Sequence, residues 1–216
     1  MYNMNSSVIS IEGNIGSGKS TILEELRKHY GNNSQFCFLT EPVQEWQSIC
    51  DTDGENIIQK YYKDQNKYAF SFQMMAYITR LKALKTALKD GYKYIVTERS
   101  PLSDKFIFAQ MLYDDEKIEK INYDIYSKWF STFLEDLPEI RHMYIKTTPD
   151  VAQARVHKRA REGENIPLPY LTKCHEYHES WMKNSLCVLQ INGNVDFAIP
   201  SYKTTIIESF DKWYFR

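Results

Sequence analysis

Residues 13 to 21 read GNIGSGKST, and this stretch decides the fold. It fits the pattern G-x-x-x-x-G-K-[ST], with Gly16 as an additional glycine. The glycines allow backbone geometry closed to other residues. They let the N–H groups of the run Gly13, Asn14, Ile15, Gly16, Ser17 and Gly18 approach a phosphate group. Lys19 brings a positive charge to the β- and γ-phosphates, and Ser20, followed by Thr21, offers a hydroxyl to Mg²⁺. The apolar run VISIE precedes the loop and an amphipathic pattern follows it, so the spacing predicts a helix whose N-terminus faces the anion. The loop therefore predicts a nucleoside triphosphate site. A guanine-reading NKxD sequence is missing, because Asn66-Lys67 is followed by Tyr68-Ala69, which weakens a GTPase reading; ATP is the expected donor.

Outward from the loop, short apolar runs alternate with longer helical patterns. Strands are predicted at 8–12, 36–40, 92–97, 142–147 and 187–192, and none shows a long in/out alternation, as suits strands buried on both faces. Helices are predicted at 20–30, 67–89, 103–113, 123–134, 149–161, 170–183 and 202–214. This order implies an α/β doubly wound parallel sheet with ligands beyond the carboxyl ends of its strands. No repeat or linker divides the 216 residues, so a single domain is expected.

Composition narrows the function. Hydrophobic residues make up 43%, and a net charge of −1 without a basic tail disfavours a nucleic-acid partner held by electrostatics. No apolar run approaches the roughly 20 residues that span a bilayer, and no secretory pattern opens the chain. The four cysteines lie far apart, so reduced thiols in a cytosol-like compartment are expected. HEYH at 175–178 lacks the H-E-x-x-H zinc spacing. Trp129, Trp181 and Trp213 read as core or interface packing.

Two further strands end in charge. The second delivers Glu41 and the third delivers Glu98 and Arg99, on the side of the sheet that carries the loop. Carboxylates beside a triphosphate are unfavourable unless they hold a metal or take a proton, and phosphoryl transfer needs both jobs done. On the long helix, Gln73, Ala76 and Arg80 are spaced i, i+3, i+7 and share one face, a polar strip with room for a planar ligand.

These motifs, GNIGSGKST, EPVQEW, the FQ of SFQMMAYITR, ERSPLSDKFIFA, ARVHKRAREGENIPLPYL and HEYHESW, occur in one order. From residue 8 to about 183 the chain resembles the deoxynucleoside kinase family. The resemblance implies a P-loop kinase three-layer fold with a five-stranded parallel sheet and an arginine-rich lid near 155–167. It implies that Glu41 accepts the proton of the substrate 5′-hydroxyl, with positioning mattering more than basicity. It further implies that Arg99 stabilises charge there and that Glu98 and Ser20 organise Mg²⁺. Arg155, Arg159 and Arg161 would face the phosphates. Tyr62 and Glu164 would hold the sugar 3′-hydroxyl, with Glu162 the other candidate because the lid is one residue shorter than in some relatives. Gln73 would pair with the base edge, and Trp46, Phe72 and Phe108 would shape or stack on it. Arg80 and Asp104 match a pair typical of deoxycytidine and deoxyguanosine kinases, which implies deoxycytidine and purine deoxynucleosides over thymidine. A homodimer built on 103–113 and 123–134 is implied as well. The rival readings are a thymidylate-kinase-like nucleotide kinase, disfavoured by the TEP and ERS clusters with Gln73, and a non-catalytic nucleotide-binding module, disfavoured by Glu41.

Overall fold

The computed structural model describes residues 6–159 and 166–215. Its five strands are β1 (Ser7–Gly13), β2 (Phe36–Leu39), β3 (Tyr94–Glu98), β4 (Ile140–Lys146) and β5 (Val188–Asn192). All pair in parallel in the order β2-β3-β1-β4-β5. β1 is central and buried along nearly its whole length, which explains why VISIE lacks alternation: both faces are covered. The expected α/β fold with a five-stranded parallel sheet is therefore present.

The chain leaves β1, forms α1 (Lys19–Tyr30), and returns at the edge strand β2, skipping the place that β3 fills. The later strand β4 takes the other side of β1. The reversal opens a crevice beyond the carboxyl ends of β1 and β3, where α/β sheets bind ligands. On one face of the sheet, α1 and α10 (Pro200–Tyr214) pack Ile22, Leu23, Leu26, Ile206 and Phe210 against Ile9, Ile11 and Val96. On the other, α4 (Gln65–Lys89) packs Leu84, Ala87 and Leu88 against Val8 and Ile95.

Three departures from the expected elements matter for the site. The stretch between Glu41 and the long helix, which carried no predicted element, holds α2 (Val43–Gln47) and α3 (Ile57–Lys63). The predicted helix 103–113 is three pieces: α5 (Pro101–Ser103), a π-helical segment (Asp104–Ala109) and α6 (Gln110–Asp114). A π-segment widens the turn and re-aims side chains, which is why such segments occur at functional sites. Beyond it lie α7 (Lys120–Leu134), α8 (Pro149–Arg159) and α9 (Leu168–Lys183). Arg161, Glu162 and Glu164 fall outside the described residues, with the rest of 160–165 of the expected lid.

Candidate active site

The phosphate loop is shaped by contacts only glycine allows. Gly16 has φ +80° and a Cβ there would meet the Ala152 carbonyl at 2.3 Å, while Gly18, at φ +98°, would strike the Phe197 ring at 2.2 Å. Gly18 is also the residue before α1, so its left-handed backbone turns the first N–H groups of that helix toward the crevice. Lys19 Nζ donates to the Asn14 carbonyl at 2.7 Å, within the loop itself. Burial pulls its ammonium down to about 7, Arg99 adds to the shift, and Glu98, Glu41 and Glu12 oppose it.

The loop opens into a cavity of about 980 Å³. Ile15, Gly16, Gly18, Lys19, Ser20 and Thr21 line one end. Gly13, Asn14 and Ser17, expected to join them, are buried behind the loop instead. The reason is mechanical. The Asn14 amide donates to the Leu171 carbonyl at 2.8 Å and so ties the loop to the first turn of α9. Ser17 sits beneath Gly13.

At the middle of the cavity the strand-end charges converge. Ser20 Oγ donates to Glu98 Oε1 at 2.8 Å. Arg99 Nε lies 3.7 Å from Glu41 Oε1, and its guanidinium lies over the Phe108 ring at 4.7 Å. Arg99 itself has φ +63°, an uncommon conformation for a non-glycine residue and a local strain that the surroundings must hold. Behind it, His178 is fully buried. Its Nδ1 lies 2.6 Å from the Cys174 carbonyl, which can only accept, so Nδ1 carries the hydrogen and Nε2 faces Arg99 Nη1 at 3.5 Å as acceptor. Burial first, then Arg99, holds that imidazole well below its ordinary range.

The far end is built from α2, α3, α4 and the π-segment. Arg80 Nη2 donates to Glu41 at 2.6 Å and its Nε to both Asp104 oxygens at 3.2 Å. The Trp46 ring lies 5.0 Å from the same guanidinium. Burial pushes the Asp104 carboxyl up against the pull of Arg80 and Arg99. Gln73 and Ala76 line the cavity on the Arg80 face of α4, as the i, i+3, i+7 spacing predicts, with Phe72 on the adjacent face and Tyr62 on α3. Two buried atoms here have no hydrogen-bond partner among the described residues: the acceptor Gln73 Oε1 and the donor Arg80 Nη1. A native cavity holds such atoms unpaired at a cost of about 1–3 kcal/mol each unless a ligand or water meets them.

The arginine edge differs from expectation. Arg155 and Arg159 both line the cavity. The Arg155 guanidinium, however, is occupied by the carbonyls of Gly193 (2.7 Å), Val195 (3.0 Å) and Ser17 (3.3 Å), with Phe197 against its plane at 5.1 Å. The sequence reading passed over several other lining residues. Tyr61 stacks on Phe72 at 4.5 Å and meets the Tyr170 hydroxyl at 3.2 Å. Asp196, Phe197 and Lys203 close the loop end. The Asn56 capping box with Gln59 was a readable sign of α3. No comparable local sign announced Phe197 or Tyr170.

No helix among the described residues is long and apolar enough to cross a membrane, and no cluster of three or more His, Cys, Asp or Glu there could hold a metal. Comparison with known proteins yields one family match: residues 9–213 fit the deoxynucleoside kinase model. The chain is 36% identical to a probable deoxycytidine kinase of fowlpox virus, over 93% of this chain and 85% of the relative. It is 32% identical to human deoxycytidine kinase, over 95% and 86%. It is also 34% identical to human mitochondrial thymidine kinase 2, over 83% and 66%.

Proposed function

The chain belongs to the deoxynucleoside kinase family and is an ATP-dependent phosphotransferase. We propose that it phosphorylates the 5′-hydroxyl of deoxycytidine and purine deoxynucleosides in preference to thymidine. The observation that carries this reading is the pair of unpartnered atoms, Gln73 Oε1 and Arg80 Nη1, beside the buried Arg80–Asp104 pair. An acceptor and a donor on one face of α4 suit the amino hydrogen and ring-nitrogen lone pair of cytosine or adenine, and the donor suits the 6-carbonyl of guanine. Thymine carries a 5-methyl that the other three bases lack, and a charged wall disfavours it. Identity to relatives does not separate the bases, since both deoxycytidine and thymidine kinases match at similar levels.

In this reading the triphosphate lies on the loop from Gly13 to Thr21, where its charge restores that of Lys19, with Arg159 and Arg161 approaching from the lid. Glu41 accepts the hydroxyl proton, held by Arg80 and Arg99, and Arg99 stabilises charge at the transferring group. Ser20 and Glu98 are two oxygen ligands of the kind magnesium takes, with phosphate and water supplying the rest. When bound, Mg²⁺ would neutralise charge on the β- and γ-phosphates. Trp46, Phe72 and Phe108 form the walls for the base, and Tyr62 and Glu164 hold the sugar.

The match over 9–213 and the single sheet support one domain. A homodimer is supported by an apolar stripe on α7, where Ile121, Ile125 and Trp129 are exposed at i, i+4, i+8. A panel of the four deoxynucleosides with ATP and Mg²⁺ tests the substrate reading. Thymidine as the best substrate by kcat/KM would overturn the base preference and leave the family assignment untouched.

A further inference from the structure

Glu12 is the penultimate residue of β1, directly before Gly13 of the phosphate loop, and is fully buried. A carboxylate in that position is costly unless it is hydrogen-bonded. Its Oε1 accepts from Ser10 Oγ at 2.8 Å and Ser100 Oγ at 2.9 Å, with Ser103 Oγ at 3.3 Å. Oε2 has no partner among the described residues. Each serine hydroxyl has one hydrogen to give. Ser103 spends its own on the Ser100 carbonyl at 2.7 Å. Ser10 spends its own on Glu12, so His142 Nδ1, 3.0 Å from Ser10 Oγ, must donate to that hydroxyl. A directed chain results: His142 to Ser10 to Glu12 from the sheet, and Ser100 to Glu12 from the turn.

That turn carries the site. Arg99 hands its N–H to the Ile11 carbonyl at 3.1 Å, takes its positive φ, and Ser100 then opens the helical turn that ends at Asp104. Ser100 and Ser103 also cap one another through Ser100 N to Ser103 Oγ at 3.0 Å. Beside that backbone bond to Ile11, Glu12 is where side chains fasten this turn to the central strand. We propose that Glu12 is a positioning residue that, through Ser100, holds the strained Arg99 turn and thereby sets where Glu98 and Arg99 stand relative to the phosphate loop.

The proposal rests on the roles given above to Arg99 and Glu98, so the test includes Arg99→Ala alongside the Glu12 variants. Glu12→Leu removes the acceptor, Glu12→Gln keeps one oxygen, and Ser100→Ala unfastens the turn with the smallest change in volume. Steady-state kinetics should show kcat lowered about 30-fold for Glu12→Leu and about 10-fold for Ser100→Ala. KM for ATP and nucleoside should stay within about threefold. Glu12→Gln should retain kcat within about fivefold of the parent. Ser10→Ala, on the sheet side of the same oxygen, should lower Tm but keep kcat within about threefold. If Glu12→Leu does not fold, Ser100→Ala decides: a fall in kcat at constant KM supports the proposal, and an unchanged kcat overturns it. Equal losses in Glu12→Gln and Glu12→Leu, or a KM that rises with every variant, would also overturn it. An Arg99→Ala enzyme of full activity would instead refute the role of Arg99.

Discussion

Arg80 is shared by two carboxylates, and this shapes what its removal or theirs should do. Asp104 takes the Nε side and Glu41 the Nη2 side of one buried guanidinium. Truncating one partner of a buried pair strands the other charge, whereas removing both leaves an apolar gap. Asp104→Ala should therefore destabilise the fold by about 3 kcal/mol. The double variant Arg80→Met/Asp104→Ala should lose less than the sum of its singles, as read from urea denaturation midpoints. Glu41→Gln keeps the shape of the side chain and removes the proton acceptor. It should leave ATP binding intact and cut kcat at least about 100-fold, and unchanged turnover would refute the base assignment. Much at this scale was legible in the sequence because the residues sit in local patterns: the loop, the strand ends, one face of α4. Glu12, His178 and Tyr170 were not. Each acquires its meaning from partners dozens of residues away, and a lone glutamate at a strand end or a histidine on an apolar helix face gives no local sign of them.

Helix α3 shows how a short element can set substrate geometry. It runs seven residues from Ile57, is capped by Asn56 in a reciprocal bond with Gln59, and places Tyr61 and Tyr62 at the cavity. A helix this short has little intrinsic stability and depends on its cap and its packing. Asn56→Ala should lower stability by about 1 kcal/mol, and it should raise KM for the nucleoside more than KM for ATP because the tyrosines lose their anchor. Equal effects on both KM values would argue that α3 does not face the nucleoside. The helix escaped the reading by pattern because its hydrophobic period spans under two turns. The π-segment escaped for a different reason: DKFIFA has an ordinary helical composition, with no local sign of a widened turn.

Across the molecule, two buried neutral histidines tie stability to pH. Burial holds His142 below its ordinary range and His178 well below it. In the unfolded chain both protonate near pH 6.5, in the folded chain they resist, so the unfolded state binds more protons. Stability is therefore present above about pH 6.5 and is lost as pH falls through the folded values. Urea midpoints should drop between pH 7.5 and pH 5, and His178→Gln should flatten that slope. The α7 stripe gives a second global test: Trp129→Glu should convert a homodimer to monomer in sedimentation velocity, and a parent protein already monomeric would refute the dimer. Arg155 has a consequence of another kind. One guanidinium joins the phosphate loop, α8 and the 193–197 segment, three stretches distant in the chain, so it behaves as a joint and not only as a contact. An engineer who grafts a relative's 193–197 loop would need to keep Arg155 on α8 and the carbonyls of 193 and 195 within its reach, because the joint is made there.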